Sequence, residues 1–283
     1  MAKGDKERVN GDNLLYRLFL NLLDGDDAVS APLIDAMIRA TAIWFPPQIY
    51  SQLPVLLPWV VRDPACRPRT VAGKRTPDEW SSPNADGYLR DDNSLIKNIP
   101  KSLEVVGPPE SPLRGSLLGN AFVASHVWRE VNLEDLASRD PRLNSFVPNL
   151  VWLPKQIAKL SDREGGKMQE ALKRTSWALY RHAAVRDHLQ NTVEDIWKLI
   201  PEPAAGPTID PAYLNFFQVT DKFVTSRLTS LREVIQLCRS VLDETPLQKT
   251  GRISTRYFEK LPTLEKHVVG RFWSQIALYD SPG

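Results

Sequence analysis

Ala121-Phe122-Val123-Ala124-Ser125-His126-Val127-Trp128 and Asn149-Leu150-Val151-Trp152-Leu153-Pro154 are the two stretches whose reading decides the architecture. The first is a β-branched and aromatic run and predicts a strand with His126 near its end. The second predicts another short strand, which Pro154 breaks because proline has no backbone N–H to give to a ladder. A polar stretch from Arg129 to Pro148 separates them. From Lys155 onward the pattern turns helical, with Gly165-Gly166 as an interruption. The order is therefore strand, loop, strand, helix.

Outward from this segment the periodicity is helical. Leu14, Leu15, Leu18, Phe19, Leu22 and Leu23 recur at helix spacing behind the capping residues Asp12 and Asn13. A second helix is expected to start at Ser30 and end at Pro46-Pro47, with Leu33, Ile34, Met37, Ile38 and Ile43 as its apolar face. Between Pro46 and Pro112 lie more than half of the chain's 23 prolines, so long helices are excluded there. Within that region Gly87 to Lys97 is a dense polar stretch between apolar flanks, including Asp91, Asp92 and Asn93, and reads as an ordered loop that carries function or turn chemistry. A long helix is predicted from Pro211 to Leu242 with Asp210 as its cap. Val224, Leu228, Leu231, Ile235, Cys238 and Leu242 form a narrow seam on it, packed on the body of the protein or paired with a second copy in a homodimer. The chain divides accordingly into residues 1–115, helical and proline-rich, residues 116–186, the strand and helix core, and residues 187–283, helical.

The balance of 36 basic and 34 acidic residues, net +2, points to no polyanionic partner at the level of the whole chain. Locally, Lys155, Lys159, Arg163, Lys167, Lys173, Arg174, Arg181 and Arg186 outnumber Asp162, Glu164 and Glu170, an excess suited either to phosphate contacts or to a solvated helix face. Two distant cysteines, Cys66 and Cys238, exclude a four-cysteine zinc cage and fit a reducing compartment. The polar opening lacks the apolar stretch of a signal peptide, and no run is long and apolar enough to span a membrane, so a cytoplasmic protein is expected.

The arrangement of Ser125-His126, Asn149 and the helix beginning at Lys155 resembles the HNH group of His-Me finger (ββα-metal) endonucleases, over about 60 residues of the chain. The resemblance implies an α+β fold, mainly helical with a small embedded ββα-metal core, and a metal-dependent DNA endonuclease. It implies that His126 is the general base, that Asn149 braces the loop, and that a residue on the following helix helps hold one divalent metal, most simply Mg²⁺. Ser125 stands where the family commonly has a metal-ligating Asp, Glu or His. Ala158 and Lys159 stand where it has a helix His or Asn, which leaves Asp162 as the nearest carboxylate, with Asp91 or Asp92 as recruits from outside the segment. Lys159 or Arg163 would add positive charge at the transition state. His182, His188 and His267 read as polar surface.

Other site chemistries lack their residues. There is no Gly-x-Ser-x-Gly, no Gly-x-x-x-x-Gly-Lys-Ser/Thr, no Gly-x-Gly-x-x-Gly and no His-Glu-x-x-His. A restriction-type motif starting at Pro77-Asp78 fails because Leu95 stands where its second acid belongs. The alternative from another class is a non-catalytic DNA-binding or interaction protein on a degenerate HNH scaffold. A role in restriction or phage defence is the expectation for a small nuclease core inside a large accessory region, by analogy alone.

Overall fold

Leu150, Val151, Trp152 and Leu153 are consecutive and apolar, and successive strand residues point to opposite faces. A strand of this kind needs cover on both sides, and all four side chains are fully buried. In the structure, a computed structural model that describes residues 11–66, 70–71, 74–75, 82–131, 135–247 and 259–280, this strand lies inside a five-stranded mixed sheet. The opening ten residues and the Pro77-Asp78 pair lie outside the described residues.

In chain order the first half comprises α1 (Gly11–Leu23), α2 (Asp27–Thr41), β1 (Ile43–Trp44), α3 (Pro47–Gln52), β2 (Val60–Arg62), β3 (Thr70–Val71), β4 (Lys74–Arg75), β5 (Leu89–Asp91), α4 (Ser94–Asn98) and β6 (Val105–Val106). The second half comprises β7 (Phe122–His126), β8 (Glu130–Val131), β9 (Asp135–Leu136), β10 (Leu150–Pro154), α5 (Lys155–Ser161), α6 (Lys167–Tyr180), α7 (Gln190–Trp197), β11 (Asn215–Phe217), α8 (Asp221–Leu242) and α9 (Lys266–Ala277). The main sheet runs β6-β11-β1-β10-β7. β10 pairs antiparallel with β7, His126 opposite Leu150 and Phe122 opposite Pro154, and β1 pairs parallel with β11. The three segments delineated from the sequence thus contribute strands to one sheet, and the fold is mixed α+β.

Aromatic packing holds the sheet to its cover. Trp152 meets Phe45 and Phe217 edge to face, each at 5.2 Å between ring centroids, a geometry that aligns ring edge with ring face and adds to the burial. A second cluster anchors the segment after β7: Trp197 of α7 meets Trp128, Phe146 and Trp177 edge-on, and its indole N–H donates to the Tyr50 hydroxyl at 2.8 Å.

Three helix starts and one helix end differ from the sequence expectation: α1 already includes Asp12 and Asn13, and the second helix stops at Thr41, Ile43 being drawn into the sheet as part of β1. α2 begins at Asp27, because Asp26 supplies the cap by accepting from the Ala28 N–H at 2.9 Å, and Ser30 is buried inside the helix. The long C-terminal helix begins at Asp221 rather than Pro211. Asp210 and Pro211 open only a 3₁₀ turn, since Asn215–Phe217 is drawn into the sheet as β11, and Thr220 then caps α8 through the Phe223 N–H. Val224, Leu231, Ile235 and Cys238 of the seam are buried, and α8 packs against the chain's own α9.

Trp152→Ala should cost about 3–5 kcal/mol, the range for emptying a buried aromatic site. Denaturant unfolding checks this: a midpoint close to wild type would show that β10 is not the strand that the core is built on.

Candidate functional site

Antiparallel pairing of β7 with β10 brings His126 next to the start of the second strand, and the intervening chain must leave the sheet and return within a short span. One amide closes that excursion. The Asn149 Oδ1 accepts from the Trp128 N–H at 2.7 Å, its Nδ2 donates to the Leu143 carbonyl at 3.1 Å, and its own carbonyl accepts from the Val127 N–H at 3.0 Å. Asn149 is fully buried, so these bonds are made away from competing water. The side chain thereby ties Trp128 and Leu143 to the start of β10.

His126 is buried, and its Nε2 lies 2.9 Å from the Asn144 carbonyl. A carbonyl can only accept, so Nε2 carries the proton and the neutral ring keeps its lone pair on Nδ1. Desolvation pushes the imidazole pKa down to about 4; the Asn144 carbonyl opposes this, while Arg62 and Arg129 reinforce it. At neutral pH the ring is uncharged and able to accept a proton. Asn144 is itself held, its Nδ2 donating to the Val60 carbonyl at 3.0 Å.

His126 lines a cleft of about 370 Å³ together with Ser125, Arg129 and Asp162 from the strand and helix core, and with Arg62 and the 92–97 stretch. The parallel pairing of β2 with β5 sets Arg62 opposite Asp91, which explains how a residue so distant in sequence reaches the cleft. From the polar stretch, Asp92, Asn93, Ser94 and Lys97 line it. Asp91 does not: it is buried and caps α4, accepting from Ser94 Oγ at 2.9 Å and from the Leu95 N–H at 3.0 Å. Asn93 adopts a left-handed backbone, φ 82°, which Asn tolerates better than most side chains. Its Nδ2 donates to the Ala124 carbonyl of β7 at 3.2 Å, and its buried Oδ1 has no hydrogen-bond partner.

Asp162 ends α5 at the cleft wall, where Arg129 donates to its backbone carbonyl and approaches its carboxylate to 4.0 Å. Desolvation raises its pKa and the two arginines counter that, although much of the side chain remains exposed. Lys159 is half-buried on α5 and is not among the residues lining the cleft. Ala158 and Asp162, four apart, share the face that does, and Lys159 is turned from Ala158 by roughly 100°.

Four of the eight basic side chains in the run from Lys155 to Arg186 are engaged in ion pairs. Lys173, almost fully buried, binds Glu164 and Glu170 at 3.0 Å each, Arg181 binds Glu194 at 2.9 Å, Lys167 binds Asp27 at 2.6 Å, and Arg163 pairs with Asp24. These charges tie α6 and the residue after α5 to neighbouring elements. The cations that face the cleft are Arg62, Lys97 and Arg129, of which Arg62 falls outside the stretches that the sequence marks for function. His182 is exposed and His267 pairs with Glu265 at 3.1 Å, whereas His188 has both ring nitrogens buried without a partner.

Asp92 and Asp162 are the carboxylates lining the cleft. Among the described residues no three His, Cys, Asp or Glu side chains converge on a metal-sized site. The residues therefore do not form an all-protein cage; hydrated Mg²⁺ is commonly held by one or two carboxylates together with substrate phosphate. Compared with known protein families, curated proteins and solved structures, the chain matches none.

Asn149→Ala strands the Trp128 N–H and the Leu143 carbonyl, each at about 1–3 kcal/mol if left unsatisfied. Hydrogen exchange at Trp128 should accelerate together with a fall in stability; unchanged protection would mean the loop is braced elsewhere. His126 adds a dependence on pH. The folded chain refuses a proton that an unfolded imidazole takes near its ordinary value of 6.5, so stability should fall as pH drops from there toward 4. Between those limits wild type should lose up to about 1.4 kcal/mol per pH unit more than His126→Gln. Parallel stability profiles for the two proteins would show that His126 is not the group refusing the proton.

Proposed function

We propose that the chain is a metal-dependent endonuclease that hydrolyses phosphodiester bonds in DNA at the His126 cleft. The observation carrying this reading is the convergence, on one strand–loop–strand–helix unit, of a neutral buried imidazole with its proton fixed on Nε2 and a side-chain amide closing the loop beside it.

Phosphodiester hydrolysis needs a group that takes a proton from water, charge to meet the phosphate, and a fixed position for both. The free lone pair of His126 takes the proton from an attacking water. Arg62, Arg129 and Lys97 meet the phosphate oxygens, arginine in particular offering a planar pair of donors. Asn149 acts through the loop and touches no reacting atom. Asp92 and Asp162 would hold Mg²⁺, which supplies neutralisation of charge on the phosphate and the leaving oxygen. Lys159 has no place in this scheme, since the cleft is lined by its neighbours.

A second reading has a specific observation in its favour. Ser125 stands at the strand position where a metal-ligating side chain would strengthen the site, and no trio of metal donors converges among the described residues. A chain of this kind would bind nucleic acid in the same cationic cleft without cutting it.

Plasmid nicking separates the two. Wild type should nick supercoiled DNA with Mg²⁺ or Mn²⁺ and stop when chelator is added. His126→Ala should be slower by about 10²- to 10⁴-fold, the contribution of a general base, with its affinity for DNA nearly unchanged because phosphate binding comes from Arg and Lys. Nicking by His126→Ala at the wild-type rate would remove His126 from the chemistry. Absence of nicking by wild type across Mg²⁺, Mn²⁺, Ni²⁺ and Zn²⁺, with DNA still bound, would favour the binding protein.

A further inference from the structure

Helix α4 has two lined faces. Ser94 and Lys97 belong to the His126 cleft, whereas Leu95, Asn98 and Ile99 line a second cavity, of about 620 Å³, closed on its other side by α8. Arg227 and Lys222 of α8 stand in this second cavity with the hydroxyl side chains Ser226 and Ser230. Arg227 is half-buried, and its Nε is fully buried and has no hydrogen-bond partner among the described residues. Its guanidinium carbon lies 6.0 Å from the centre of the Phe223 ring, so an aromatic face is its main company. Burial pushes its pKa down with no opposing carboxylate. The single acid of the lining, Glu233, is itself raised by desolvation.

The Arg227 Nε–H is held out of water without an acceptor, and an unsatisfied buried donor costs stability. Two other part-covered arginines each meet an acid: Arg181 meets Glu194 and Arg90 meets Asp63. The cavity beside Arg227 therefore has the chemistry of an anion site, with the guanidinium, a lysine at its rim and the Ser226 hydroxyl, the Ser230 hydroxyl being given to the Ser226 carbonyl. Its position fixes which anion. α4 lines both the cavity and the cleft, and a helix with its side chains is roughly 10–12 Å across, about three nucleotide steps at 3.4 Å of rise per nucleotide.

We propose that the cavity between α4 and α8 is a second phosphate subsite, in which Arg227 and Lys222 bind a backbone phosphate of the same DNA strand whose target phosphate occupies the His126 cleft. This rests on reading the cleft as a nucleic-acid site. The subsite extends the interface beyond the strand and helix core and gives α8 a part in recognition. It reads the backbone and not the bases, so it sets the path of the strand without selecting sequence.

The test measures the affinity of a labelled duplex by fluorescence anisotropy at several salt concentrations, in chelator so that nothing is cut. For every phosphate that the protein ceases to neutralise, the slope of log affinity against log salt should flatten by about 0.9. Arg227→Gln should show this reduction and Arg227→Lys should restore it. Lys222→Ala, at an exposed position that cannot disturb packing, should show it too. Unchanged slopes in both Arg227→Gln and Lys222→Ala overturn the subsite, even if wild type nicks DNA. Reduced slopes in a protein that never nicks leave the subsite standing and remove the hydrolytic reading. No duplex binding by wild type removes both.

Discussion

Everything at the candidate site depends on one buried amide. The segment between β7 and β10 has little regular structure of its own, with only the β8–β9 pair and short 3₁₀ turns, and buried backbone must nevertheless find hydrogen bonds. Asn149 supplies a donor and an acceptor from one planar group and so fixes both ends of the excursion. With the ends fixed, Asn144 is carried to the position where its carbonyl meets His126. An alcohol or a carboxylate could not do this: the first is too short to span both ends, and the second has no proton to give to Leu143.

The electrostatics of the cleft follow from the same geometry. A histidine exposed at a strand end would titrate near its ordinary value and be partly charged under mild acid. Here burial and two arginines keep it neutral, at the cost of a weaker intrinsic base. As the general base proposed above, it would work best where its proton is quickly passed on, and the carboxylates Asp92 and Asp162 line the same cleft. The arginines that depress the imidazole also face the cleft where phosphate charge would sit, so a bound phosphate would relieve the repulsion that His126 feels when it gains its proton.

The sequence is most legible where short-range rules govern. The two strands, their order, the break at Pro154 and the amide at Asn149 are readable because β-branched runs and a following helical period do not require knowledge of distant partners. The irregular character of residues 46–112 is legible from proline for the same reason, and α3 and α4 are correspondingly short. The start of α8 is hidden because Asn215–Phe217 pairs with β1, about 170 residues earlier, and no local signal reports that pairing. Arg62 is invisible as a site residue for a similar reason, since only the β2–β5 register brings it to the cleft. The basic run after Lys155 is visible, but its partners Asp24, Asp27 and Glu194 are not, so half of the charge that looks available proves to be engaged.

Strand β7 is the last in the sheet, which leaves its outer backbone groups unmatched by another strand. Unmatched edges of this kind recruit other chains and lead to aggregation unless something occupies them. The Asn93 amide, held by an unusual left-handed backbone, donates to the Ala124 carbonyl on that strand. One side chain at the cleft therefore also acts as a stopper on the sheet. Any change at position 93 made to alter chemistry would be felt in solubility as well, through a route that has nothing to do with the reaction.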